Sequence, residues 1–272
     1  MHPEFISFDL FGKPITIHMY GIMIAVGATL GYFYASRVAK RELGIESDVI
    51  QGLARWAIIA AFVGGKLFYY FESPAYYFGE PANMLKNFRT GFVFYGSLIF
   101  AIPTVIWYFR KHKLPFWPMM DIIAITGCIV HVCGRMGCFF AGCCYGLPTD
   151  LPWGIAFTDE LAQAKPLYTT LHPTQLYEVF LISSILITLW MLKRYNRFEG
   201  RLFFVYIVLY ATGRSITEIF RGDLRRGFII DGVLSHSQLI SIVLILGTIG
   251  TYFLLKKNQL QPKAKGAPKK KL

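Results

Sequence analysis

The chain has 272 residues, 54% of them hydrophobic and only 16% charged, and its mean hydropathy is +0.45. That composition is too apolar for an ordinary soluble domain and points to an all-α, polytopic membrane protein. The formal charge of +12 does not point to nucleic acid, because seven lysines belong to the tail KKNQLQPKAKGAPKKKL. That tail has no aromatic interleaving, and an anionic membrane leaflet attracts such a segment at about 1 kcal/mol per basic residue.

A bilayer-spanning helix takes roughly 20 mostly apolar residues. Seven runs qualify, at about 15–36, 49–71, 92–109, 117–134, 174–192, 202–219 and 234–255. The opening MHPEFISFDLFGKP carries Glu4 and Asp9 and no basic residue before Lys13, unlike a secretory signal, so the first helix is expected to be retained. Basic residues cluster in alternate connections: Arg37, Lys40 and Arg41; Arg110, Lys111 and Lys113; Lys193, Arg194, Arg197 and Arg201; and the tail. These hold 17 of the 28 lysines and arginines, which places those connections and the C-terminus in the cytoplasm and the N-terminus outside. Residues 1–255 are expected to form a single transmembrane domain with an outer loop at 138–173, and 256–272 a disordered, basic cytoplasmic tail.

Ionisable and polar groups inside apolar helices are costly and mark function by default. The first helix has His18 and Tyr20 in IHMYG, and the third opens with Tyr95, Gly96 and Ser97 in FVFYGS. Either tyrosine also suits an aromatic belt at the membrane surface. In the fourth, ITGCIVHVCGRMG, spacings of three and four put Cys128, His131 and Arg135 on one face. The outer loop offers the flexible Gly142, Gly146 and Gly154, then LHPTQLYE. There His172 is either a general base or a loop anchor, and Glu178 lies one and a half turns into the fifth helix. The sixth helix aligns Tyr210, Arg214, Glu218 and Arg221 on one stripe, with Asp223 just beyond. An Arg214–Glu218 pair could simply neutralise itself. Two helices each bringing an arginine to the same end point further, to a phosphate gripped by guanidinium forks, and a phospholipid headgroup is the phosphate available at that depth.

All five cysteines fall between positions 128 and 144, the first four at intervals of five. This matches neither a zinc ribbon nor a C-x-x-C pair, and Cys138, Cys143 and Cys144 are expected to face the oxidising side, where a disulfide is possible.

The segment GRMGCFFAGCCYG resembles the signature G-R-x-G-N-F-x-N-G-E-x-x-G of the bacterial phosphatidylglycerol:prolipoprotein diacylglyceryl transferase family, through Gly134, Arg135, Gly137, Phe139, Gly142 and Gly146. HMYGIMIAVG, FYGSLIF, PWGIAF, HPTQLYE and GRLFFVYIVLYATGRSITEIFRGD extend the resemblance along nearly the whole chain. It implies a seven-helix bacterial inner-membrane enzyme. Such an enzyme moves the diacylglyceryl group of phosphatidylglycerol onto the lipobox cysteine of a prolipoprotein signal peptide and releases glycerol phosphate, with no metal or organic cofactor.

By that resemblance the essential arginines are Arg135 and Arg214, with Glu218 orienting the latter. Tyr20, Gly134, Gly137, Cys138, Gly142, Gly146, His172 and Arg221 are placed around the substrates. Two departures stand out. Tyr95 in YGS occupies the place of a histidine in an HGG stretch, and Cys138 and Cys143 replace the signature's asparagine and glutamate. A neutral phenol does not take a proton at pH 7 as an imidazole does, so Tyr95 with Gly96 is expected to hydrogen-bond the headgroup or the incoming thiol. Other readings stay open on the residues: a related transferase with another acceptor, a thiol-based redox or metal-binding membrane protein using the three cysteines with His172, and a lipid-binding protein without turnover.

Overall fold

The computed structural model describes residues 2–10, 13–88, 91–195, 199–222, 228–230 and 234–260. Asp223, Arg197 and the tail beyond Leu260 lie outside the described residues. The protein is mostly helical and divides into two compact units, one formed by residues 1–31 and 123–272 and the other by residues 32–122.

The first unit opens with an antiparallel hairpin of β1 (Glu4–Leu10) and β2 (Lys13–His18), paired from Glu4 with His18 to Leu10 with Lys13. The first helix, α1 (Met19–Leu43), therefore starts at Met19 and not near residue 15. The physical reason lies in ITIH: a short β-branched run is as good a strand as a helix start, and a pairing partner in EFISFDL decides between them. Helix α1 stops at Gly44, whose φ of +66° suits a residue without a Cβ and whose amide donates to the Lys40 carbonyl.

In the second unit, α2 (Ser47–Phe71) and α5 (Phe94–Lys111) pack together, with short α3 (Pro74–Gly79) and α4 (Ala82–Lys86) between them in sequence. Two glycines set how close they come. A Cβ built on Gly64 would stand 2.3 Å from the Gly96 carbonyl oxygen, and one on Gly96 2.5 Å from that of Gly64. Lys66, buried in α2, donates to the Gly91 carbonyl at 2.9 Å and lies over the Tyr69 and Phe88 rings, so its charge is solvated by a carbonyl and ring faces.

Helix α6 (Phe116–Ala141) runs seven residues beyond the end expected at 134. Gly134 and Gly137 do not break it; they let α1 approach, with Ile24 and Tyr20 against the bare Cα positions. Its end comes at Gly142, at φ +69°. Next, β3 (Ile155–Ala156) pairs with β4 (Thr170–Leu171), and Phe157, Ala162, Ala164 and Leu171 form a core with Tyr145 and Leu167 against it. The expected outer loop is thus a small folded cap. Three further helices are α7 (Thr174–Lys193), α8 (Arg201–Glu218) and α9 (His236–Leu260), with β5 (Phe228–Ile230) and β6 (Leu234–Ser235) preceding the last. Helix α8 packs against both α7 and α9.

Among the described residues, five helices (α1, α2, α6, α7 and α9) are long and apolar enough to cross a membrane, so the protein is a multi-pass membrane protein. Helices α5 and α8 have 18 residues each, which at ~1.5 Å per residue is ~27 Å, close to the ~30 Å of a hydrocarbon core.

Replacing Gly64 by alanine is expected to cost about 1–3 kcal/mol, because the methyl meets the Gly96 carbonyl oxygen and the root of the Phe100 side chain, neither of which can swing away. Replacing Gly127, which has nothing within 4 Å of its added Cβ, should leave thermal unfolding in detergent unchanged or raise it. Equal behaviour of the two variants would contradict this account of the α2–α5 crossing.

Candidate active site

The first unit gathers charged side chains where α6 ends, α7 begins and α8 ends. Glu178 is the hub. Its side chain is 1% exposed and takes Arg135 Nε on one oxygen at 2.7 Å and Arg221 on the other at 3.5 Å. Arg221 also approaches Glu218 at 3.9 Å, and Glu218 pairs with Arg214 at 2.5 Å one helical turn before it. The order is Arg135, Glu178, Arg221, Glu218, Arg214: among the described residues, three guanidiniums alternate with two carboxylates. Such burial is tolerable only because each charge meets an opposite one; removing a single partner from a buried pair typically costs about 3–5 kcal/mol.

Neutral groups complete the setting. Arg135 Nε also donates to His131 Nε2 at 3.3 Å, one turn back on α6, so this nitrogen of His131 acts as acceptor. The His131 ring meets Tyr210 edge-on at 5.2 Å, and Tyr210 stacks on Tyr206. Arg214 lies 3.5 Å from the Thr217 hydroxyl.

The residues after α6 are clamped in place. Gly146 and His172 are joined by an amide-to-carbonyl bond of 2.9 Å, Leu147 donates to Phe220, and Gly222 donates to Tyr145. A Cβ on Gly146 would lie 2.5 Å from both the His172 Cβ and the Phe220 oxygen, so only glycine fits between these two strands of chain. Thr174 Oγ1 donates to the Cys144 carbonyl at 2.6 Å, and Gln175 Nε2 to that of Cys143 at 2.7 Å. The sulfurs of Cys138, Cys143 and Cys144 all lie within 4.8 Å of one another, and all three are free thiols. Hydrogen bonding from Cys138 and Cys143 holds the Cys144 thiol below its usual range, with Arg221 and Arg135 acting in the same direction. The corresponding bonds push the Cys143 thiol up.

Against this geometry, a model of the prolipoprotein diacylglyceryl transferase family matches residues 6–254. The chain belongs to that family. A phosphatidylglycerol–prolipoprotein diacylglyceryl transferase of Clostridium tetani is 36% identical to it, over 89% of this chain and 93% of that protein. Proteins of the same name from Campylobacter curvus and Rickettsia felis are 31% and 30% identical, over 96% and 90% of this chain and 97% and 94% of their own lengths.

In this diacylglyceryl transferase family member, Arg135, Arg214, Glu218 and Arg221 come together as one ion-pair chain. Gly134 and Gly137 sit where α1 meets α6, and Tyr20, itself 44% exposed, covers Gly137. Gly142 and Gly146 shape the segment carrying the cysteines. His172 is engaged at Nδ1 by the Tyr177 hydroxyl at 2.9 Å, and that hydroxyl also accepts from the Trp153 indole at 2.8 Å; the sulfur cluster contains neither His172 nor His131. Tyr95 and Gly96 belong to the other unit, where the Tyr95 ring is 56% exposed beside Phe94.

The sequence singles out Glu178 only as a polar residue of the fifth helix, with no role in the site, and does not single out Thr174 or Gln175. The available signal was a lone acid at the start of an otherwise apolar helix, in TQLYEVFLISSILITLW.

Glu178→Gln is expected to destabilise the protein by about 3 kcal/mol, seen as a fall of roughly 6–12 °C in the thermal midpoint in detergent. A midpoint unchanged within 2 °C, an arbitrary margin of about 1 kcal/mol, would mean that Glu178 is not the hub of the network.

Proposed function

We propose that the Arg135–Glu178–Arg221–Glu218–Arg214 chain is where this transferase of lipoprotein biosynthesis holds the phosphate of phosphatidylglycerol while its diacylglyceryl group passes to the lipobox cysteine of a prolipoprotein. The observation that carries the reading is the ion-pair chain itself: arginines from three segments held at adjoining helix ends by two buried carboxylates. Arginines so held are preorganised, and a phosphodiester that meets them costs little rearrangement.

The chemistry follows from charge. A thiolate sulfur forms a bond to the glyceryl carbon while that carbon's bond to the phosphate oxygen breaks. The leaving glycerol phosphate passes from a singly charged diester to a doubly charged monoester. Guanidiniums fixed where this second charge grows stabilise the transition state more than the ground state. Glu218 orients Arg214, and Glu178 orients Arg135 and Arg221. Tyr20 hydrogen-bonds the headgroup or the incoming thiol, while Gly134, Gly137, Gly142, Gly146, Cys138 and His172 shape the substrate surface.

In the topology that fits this chemistry, all seven long helices cross the bacterial inner membrane. The N-terminus and the 142–173 cap lie outside, where the lipobox cysteine is presented, and the basic tail lies in the cytoplasm against anionic lipid. Residues 1–255 then form one membrane domain. Tyr95 in the place of the family's usual histidine is the feature that favours a second reading, a transferase with an acceptor other than a lipobox cysteine.

Arg135→Lys and Arg214→Lys are each expected to lower transfer from labelled phosphatidylglycerol to a lipobox peptide by ~100-fold or more, since a point charge replaces a planar fork. A peptide with serine for the cysteine should accept nothing. Near-normal transfer by both lysine variants would rule out the phosphate site, and transfer to other thiols but not to the lipobox peptide would favour the second reading.

A further inference from the structure

We infer that Cys138, Cys143 and Cys144 hold one soft divalent ion of the zinc class, as a three-thiolate site whose fourth position takes the acceptor thiol of the transfer reaction. The second half of this inference rests on the function proposed above; the ion site does not. It also departs from the expectation that the family's chemistry runs without a metal.

Three observations carry it. The first is distance: the three sulfurs lie within 4.8 Å of one another, and a tetrahedral zinc with bonds of ~2.3 Å separates its sulfurs by ~3.8 Å. Small thiol rotations close that difference. The second is how the backbone delivers them. Cys138 sits in the last turn of α6; Gly142 turns the chain at φ +69°, and the Cys143 amide returns to the Cys138 carbonyl at 3.1 Å. Cys144 itself holds a left-handed φ of 60°, uncommon for a residue with a Cβ. The third is support: Thr174 and Gln175 pin the carbonyls of Cys144 and Cys143, and outer partners of this kind orient metal ligands. Thiolates select soft ions, and three protein ligands with one open position is the composition of a catalytic zinc site.

Electrostatics favour the same assignment. Three thiolates and a divalent ion carry one net negative charge, within the field of Arg135 and Arg221.

The inference also supplies what the histidine replacement removes. A thiol that coordinates zinc gives up its proton to water and stays at the ion as a thiolate, so no protein base is needed at position 95. A lone pair on that sulfur forms the S–C bond to the glyceryl carbon. The electrons of the C–O bond leave with the phosphate, and the resulting thioether, a weak ligand, is released.

The test uses the full chain in detergent, reduced, freed of metal with a chelator, and titrated with Co²⁺, whose thiolate charge-transfer and tetrahedral d–d bands report coordination. One Co²⁺ per chain with sulfur-to-metal bands is expected. Cys138→Ser and Cys144→Ser should each weaken binding by more than the ~10–100-fold that loss of an outer partner costs. Retained helical circular dichroism checks that these variants fold, and Arg135→Ala should keep the bands. A lipobox peptide should shift the d–d bands, and its serine version should not.

Absence of thiolate bands in the wild-type chain, or bands that survive both cysteine variants, would overturn the ion site. Bands indifferent to the peptide, or transfer undiminished in metal-free protein, would overturn the role of the fourth position while leaving the proposed transfer intact. Bands that shift with peptide but without diacylglyceryl transfer would uphold the thiol-binding ion and count against the proposed transfer instead.

Discussion

The Glu178 carboxylate is the constraint on which the first unit depends. An ion in a protein interior at membrane depth is severely penalised unless it is paired, and this one is paired twice, to Arg135 from α6 and to Arg221 beyond α8. Those two contacts fix the rotation of α6 and α7 about their axes. They also require the chain after α8 to turn back toward the start of α7. The backbone bridge between Gly146 and Arg221 then follows, because the segment after α6 has to pass beside the same turn. A residue that satisfies two arginines thus organises three helix ends and the stretch bearing the cysteines.

The same arrangement explains why the site can be rigid without being inert. Alternating charges hold the guanidiniums in place, and Arg135 meets Glu178 through Nε and not through its terminal fork. The cap between residues 142 and 173 has its own apolar core around Phe157 and Leu171, so it is anchored by burial as well as by hydrogen bonds to α7. Preorganisation here comes from packing around polar groups, not from the polar groups alone.

Much of this was legible in the sequence, for reasons that differ residue by residue. The long helices were visible because runs of apolar residues have few other uses at that length. Arg135 with His131, and Arg214 with Glu218, could be grouped because four residues is one helical turn. The hairpin at Glu4–His18 was not visible, since its strands are too short for periodicity to separate them from a helix start. The extra turns of α6 were not visible, since glycine disfavours a helix by itself, whereas Gly134 and Gly137 here serve a helix crossing. The role of Glu178 was the most consequential omission: a single acid near a helix N-terminus looks like a dipole partner, and only the fold shows two arginines converging on it from distant parts of the chain. The clustering of Cys138 with the adjacent Cys143 and Cys144 likewise depends on left-handed turns that residue spacing does not encode.

The position of the ion-pair chain at helix ends bears on how the protein is made. Arg221 follows Glu178 by 43 residues, and Arg135 precedes both, so during synthesis Arg135 is made well before Glu178, and Glu178 well before Arg221. A lone arginine near a helix terminus can extend its side chain to the headgroup region while it waits, whereas one at the midplane cannot do so cheaply. Locating the network at helix ends therefore suits helices that enter one at a time and leaves the network to close last, when the segment after α8 emerges.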